Sequence, residues 1–176
     1  MAAIAKGHNV LIEGRAGIGK SALLQRLFNA MTVNDASAAE LDQSIAIWVS
    51  RGSSKQVFLS IAQQLHEKVG LQLPMDVVPP RWLAAAQRFG YLPWRKLERS
   101  LARLSITKLA GIIEATLKKK PVTVFFDSLE MPPSQANQLA PIIDASQVVA
   151  AMDSSNHRRR VQRIIWRFPV RIELKP

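Results

Sequence analysis

The stretch Asn9-Val10-Leu11-Ile12-Glu13-Gly14-Arg15-Ala16-Gly17-Ile18-Gly19-Lys20-Ser21 decides how the remainder of the chain is read. Three consecutive apolar residues, Val10 to Ile12, run into Gly14 to Ser21, which matches G-x-x-x-x-G-K-[ST] at every fixed position. That spelling has a physical reason. Glycines let the backbone turn tightly and bring its N–H groups against phosphate oxygens with no side chain between. The helix expected from Lys20 onward aims the positive end of its dipole at the same spot. Lys20 supplies a point charge for the terminal phosphates, and the Ser21 hydroxyl is a ligand for Mg²⁺. The pattern predicts that Gly14, Arg15, Ala16, Gly17, Ile18, Gly19, Lys20, Ser21 and Ala22 line a nucleotide phosphate site.

Working outward, apolar runs and amphipathic segments alternate. Leu23, Leu24, Leu27 and Phe28 form one face of a helix over about 20–31. Residues 44–50 read as a short buried strand closed by Arg51-Gly52, and Ser53 or Ser54 caps the next helix, which Gly70 ends. Four prolines break residues 71–104 into short basic segments, a helical insertion containing RWLAAAQRF and WRKLERSLARL. A helix over about 105–119 follows. Then Pro121-Val122-Thr123-Val124-Phe125-Phe126-Asp127 reads as a central parallel strand that delivers a carboxylate at its carboxy end, where ligands sit in open α/β sheets. Asp127 is the expected metal-side acid (Walker B). A helix over about 134–143, a strand at 147–153, a basic helix HRRRVQRIIWRF and a last strand at 170–174 complete the pattern. The fold class this predicts is α/β: three layers around a five-stranded parallel sheet with right-handed crossovers.

Bulk properties narrow the classes. A chain of 176 residues supports one ordinary core. The absence of cysteine excludes disulfides and thiolate chemistry, and His8, His66 and His157 lack metal-ligand spacing. No segment has the length of a signal peptide or membrane span, so a cytoplasmic, membrane-free protein is expected. The net charge of +11 exceeds what a nucleotide requires and points to a polyanionic partner such as nucleic acid. Between Met75 and Lys120 ten Lys/Arg face only Asp76, Glu98 and Glu114, so +7 of the +11 lies there. Trp82 and Trp94, set among those charges, read as core-filling aromatics.

GRAGIGKS, VTVFFDSLE, VVAAMDSSN and IIWRFPVRIEL occur in the order and spacing of an AAA+ ATPase core, and the chain resembles that family over nearly its full length. The long helical spacer before Asp127 is similar to the subgroup of origin-recognition ATPases and transposition or secretion helpers; STAND-type ATPases are similar in outline. The resemblance implies a P-loop NTPase with sheet order 5-1-4-3-2, Mg-ATP as ligand, and assembly into rings or filaments. It implies that Asp153 or Ser154 is sensor 1 and that Arg163 or Arg167 is a finger offered to a neighbouring subunit's nucleotide. Two departures bear on activity. The Glu that usually follows the Walker B Asp is replaced by Ser128, leaving Glu130 or Glu13 as the nearest acids to orient a water. The family's C-terminal lid, which carries sensor 2, is not expected in a sequence that stops at Pro176: either the protein is a shortened one, or closure comes from a partner protein or a second subunit. Residues 1–176 read as a single P-loop core that binds ATP and hydrolyses it to drive assembly or remodelling. A hydrolysis-poor switch module and a small-molecule kinase with the basic insertion as its lid are the alternatives.

Overall fold

Both faces of the central strands must be covered, because their apolar runs have no polar alternation. Val122–Phe126 is buried at all five positions, and Val10, Leu11 and Ile12 are equally enclosed. The computed structural model, which describes residues 2–32, 45–74, 76–89, 92–129, 133–154 and 164–175, meets that demand with helices on either side of one sheet. The elements are α1 (Ala2–Ala5), β1 (Val10–Gly14), α2 (Lys20–Thr32), β2 (Ile45–Val49), α3 (Ser54–Lys68), α4 (Pro80–Phe89), α5 (Trp94–Leu101), α6 (Ile106–Leu117), β3 (Val122–Phe126), α7 (Pro133–Ala145), β4 (Gln147–Asp153) and β5 (Val170–Glu173). Every strand pair is parallel and the order is β2-β3-β4-β1-β5, the predicted 5-1-4-3-2 read from the other edge. One element departs from the sequence reading. The apolar amino terminus makes a helical turn, α1, before β1, and buries Ile4 against the sheet.

Alternation along each strand sorts the core into two layers. Leu11, Ile47, Val124, Phe126, Val148 and Ala150 face α3, α5, α6 and α7. Val10, Ile12, Phe125, Val149 and Ala151 face α1 and α2. On that second side Phe28 of α2 meets Trp48 of β2 and Phe125 of β3 edge-on, with ring centroids 5.4 Å away in both cases. Such edge-to-face contacts add about 0.5–1.5 kcal/mol each beyond burial. They fix α2, and with it the loop at its amino end, against the sheet.

Residues 71–104 are not a detached appendage. Val77, Val78, Leu92, Leu97 and Leu101 are buried in the same cluster as α3 and α6, and Trp82 and Trp94 pack on its margin. The tryptophans thus serve the core, as expected. Helix α3 begins with Ser53, which accepts from the Gln56 N–H while the Gln56 side chain accepts from the Ser53 N–H, a reciprocal cap. Gly70, at φ 78°, turns the chain just beyond its end. Among the described residues no helix is long and apolar enough to cross a membrane.

Helix α3 also closes one edge of the sheet. At β2, Gln64 of α3 donates to Trp48 O (2.6 Å) and accepts from Trp48 N–H (2.9 Å), and Lys68 donates to Ala46 O (2.6 Å). Side chains from α3 therefore satisfy the outward backbone groups of an edge strand that would otherwise template pairing with other chains. Replacing Gln64 by Ala is expected to lower unfolding free energy by about 1–3 kcal/mol, the cost of leaving part-buried backbone groups without partners. Denaturant unfolding measures this. A variant as stable as the parent would remove Gln64 from the account of the edge.

Candidate functional site

Parallel pairing brings the carboxy ends of β1, β3 and β4 to one side of the sheet. Gly14 is level with Asp153 in the β1–β4 register, and Ser154 N–H donates to Gly14 O (3.1 Å). Asp127 directly follows β3, two strands from β1 and so about 10 Å across the sheet at the usual ~4.8 Å strand spacing. Its N–H donates to Val49 O of β2 (3.0 Å), and two residues later Leu129 N–H donates to Ala151 O of β4 (2.8 Å). Ser128 is held between those two anchors. The sequence-predicted loop, Asp127 and the Asp153–Ser154 pair thus share one rim. Glu13 is half-buried beneath the loop, at the β1 register position between Met152 and Glu173.

The loop has the backbone its spelling requires. Gly17 and Gly19 adopt φ of 79° and 93°, the left-handed region that other residues enter at a cost. Gly14 is needed for space: a Cβ there would lie 2.9 Å from Ile18 Cγ2 and 3.1 Å from Leu174 O. Helix α2 starts at Lys20 with no acidic residue in its first turn, leaving its first N–H groups and the positive end of its dipole uncompensated by charge. Ser21 and Ala22 are exposed in that turn. The Lys20 ammonium bends back and donates to Gly14 O (2.7 Å) and Arg15 O (2.6 Å). The arrangement sets a glycine-bent loop and the amino end of a helix beside a cation, which suits a multiply charged oxyanion.

Asp127 supplies a second chemical signature. Its carboxylate is half-enclosed, and Oδ1 is buried without a hydrogen-bond partner among the described residues. An unpaired buried carboxylate oxygen is costly and is retained mainly where it has a ligand to meet. The Ser21 hydroxyl at the start of α2 and the Asp127 carboxylate, on the same rim, are oxygen donors of the kind a hard cation such as Mg²⁺ takes.

Not every predicted residue joins the rim. Glu130 and Arg163 lie outside the described residues, as does all of the basic segment at 157–163. Arg167 stands at the opposite, amino edge of the sheet: its carbonyl accepts from the Asn9 side chain (3.1 Å), just before β1 starts, about 15 Å from the loop at ~3.3 Å per strand residue. Its guanidinium forks onto Asp144, with Nε to Oδ1 at 2.8 Å and Nη2 to Oδ2 at 3.2 Å, and lies 4.1 Å from the Trp166 ring centroid. Arg167 is therefore remote from its own chain's loop.

One organising residue escaped the sequence reading. Asn9 also accepts from Val148 N–H (2.8 Å), tying the starts of β1 and β4 to the turn that precedes β5. Its only signal in sequence was a polar residue immediately before a buried strand.

No protein-family model matches the chain, and no curated protein matches it. Among solved structures it is similar to the ORC1 protein of Aeropyrum pernix in complex with DNA, with a TM-score of 0.65 and 16% identity over 99% of this chain. The chain spans 42% of that protein's length. At this identity the likeness carries the fold alone, a P-loop-like α/β fold built on a five-stranded parallel sheet.

If the Asp127 carboxylate is kept for a ligand, Asp127→Ala should leave the ligand-free protein at least as stable as the parent, because it removes an unpaired buried oxygen worth about 1–3 kcal/mol. Thermal unfolding without nucleotide or divalent cation tests this. A clear loss of stability would make Asp127 a structural carboxylate instead.

Proposed function

We propose that residues 1–176 act as one AAA+-like nucleotide-binding core that binds Mg-ATP and hydrolyses it slowly to drive assembly or remodelling of a partner or nucleic-acid complex. The observation that carries this reading is the loop: left-handed Gly17 and Gly19, the open amino end of α2, and Lys20 folded onto the Gly14 and Arg15 carbonyls. On binding, the Lys20 ammonium exchanges those carbonyls for phosphate oxygens, while N–H groups of residues 15–22 take the remaining phosphate lone pairs. Ser21 and Asp127 would hold Mg²⁺, which when bound neutralises charge on the phosphates. Asp153, level with Gly14 beside the loop, is the residue proposed to sense the terminal phosphate. ATP is favoured over GTP because no N-K-x-D motif is present in the sequence.

Turnover is proposed to be slow for a positional reason. Ser128 occupies the position where a carboxylate would orient the attacking water, and hydrogen bonds on either side of it limit how far a more distant acid can be drawn in. Arg167, paired to Asp144 at the amino edge, would contribute across a subunit boundary only by leaving that carboxylate for a neighbour's phosphate. The structural neighbour's complex with DNA supports nucleic acid as a partner. The same Ser128 favours the second reading, a switch that binds ATP and hardly hydrolyses it.

Lys20→Ala is expected to weaken Mg-ATP binding by about tenfold or more, read by calorimetry, through loss of a charge-assisted phosphate contact. Unchanged affinity would defeat the phosphate-site reading. Ser128→Glu is expected to raise steady-state phosphate release by at least about tenfold, less than the roughly hundredfold that a fully positioned base contributes. Parent activity at background, with or without DNA, would leave the switch reading in its place.

A further inference from the structure

Helix α5 carries its charges in a pattern that burial alone does not require. Leu97 and Leu101 are fully buried, Trp94 packs on the core, and these residues define the inward side. At about 100° per residue, Arg95, Lys96, Arg99 and Arg103 (just beyond the helix) fall within an arc of about 100° on the outward side. All four are exposed. Among the described residues none has an ion-pair partner, although Lys108, Lys118 and Arg167 find carboxylates elsewhere. Glu98 is the one acid on the helix, and it lies to the side of the arc rather than within it.

The helix is also held firmly at both ends. His66 of α3 donates to Leu92 O (2.7 Å) ahead of it, and the Lys55 ammonium donates to Leu104 O after it. Its cations are therefore displayed on a fixed rod, so little backbone ordering remains to be lost when a ligand is engaged.

We propose that this outward arc of α5 grips the sugar-phosphate backbone of a nucleic-acid duplex. From Arg95 to Arg103 the stripe runs about 12 Å at 1.5 Å per residue. That is enough to meet about three phosphates of one strand, spaced about 3.4 Å along the duplex axis. Three of the four cations are arginines, whose planar forks match phosphate oxygens. The face presents no large apolar or aromatic side chain. It lacks both the apolar anchors of a protein–protein interface and the stacking platforms of a single-strand binder. With phosphate contacts and no base-reading element on the arc, binding is independent of sequence. The assignment rests on the reading that nucleic acid is a partner, and it is independent of the nucleotide loop.

The test is fluorescence anisotropy with the full chain and a mixed-sequence DNA duplex across a salt series. The parent should bind with a steep salt dependence. The triple variant Arg95→Ala, Arg99→Ala, Arg103→Ala should lose at least about tenfold in affinity, and the slope of log K against log salt should shrink by about 3. Glu98→Lys should bind more tightly with a slope steeper by about 1, a gain that misfolding cannot imitate. If the parent binds no duplex, the nucleic-acid reading fails and this one with it. If the parent binds but the triple variant and Glu98→Lys match it, α5 is not the surface. Displacement by polyglutamate as effective as by duplex, or preference for single strands, would also overturn the proposal.

Discussion

The structure depends on the position of β1 between β4 and β5. A strand buried on both faces and paired on both sides has no freedom to slip, since a one-residue shift would exchange Leu11 and Ile12 between layers. That register sets Gly14 level with Asp153, and the loop leaves the sheet at a defined height. Asn9 secures the same register from below by bonding Val148 and the Arg167 carbonyl. The Gly14–Ser21 loop inherits its geometry from a strand that cannot move and from α2, which Leu24 and Phe28 hold down on the sheet.

Against that rigid frame, the rim contains features that cost stability. Gly17 and Gly19 sit in the left-handed region, the first turn of α2 carries no acidic residue, and among the described residues an Asp127 oxygen is buried without a partner. Local rules are expected to yield where a ligand completes the structure. The other end of the sheet is different in kind: Asn9, Thr123, Ser146 and Gln147 all have hydrogen-bond partners there. The contrast between a satisfied amino edge and an unsatisfied carboxy edge supports the choice of functional side independently of the loop motif.

Ser128 and α5 lie apart, one on the rim of the sheet and the other on the outer surface. Both features are consequences of local anchoring. Ser128 is fixed because Asp127 and Leu129 bond to different neighbouring strands. The α5 arginines point outward because Leu97 and Leu101 point inward. Substitutions at these surfaces leave the core intact, so their effects on turnover and binding are readable apart from folding.

Much of this was legible in the sequence because it is encoded by periodicity and short-range chemistry. The loop, the strand ending at Asp127, the Ser53 cap and the alternation of strands with helices each follow from residues within a few positions of one another. The AAA+ resemblance extended that to the strand order. Long-range geometry was not legible. That Gly14 is required by the approach of Leu174 O, that Gln64 and Lys68 close the β2 edge, and that Asn9 joins three segments depend on residues 16 to 160 positions apart, brought together only by the sheet's crossovers. The pairing of Arg167 with Asp144 at the edge opposite the loop belongs to the same class. Sequence alone determined where the chain has the backbone freedom and the charge that a phosphate site asks for, because these are properties of the residues themselves. Tertiary structure decided which of them share a rim, because direction and distance arise only when distant segments pack.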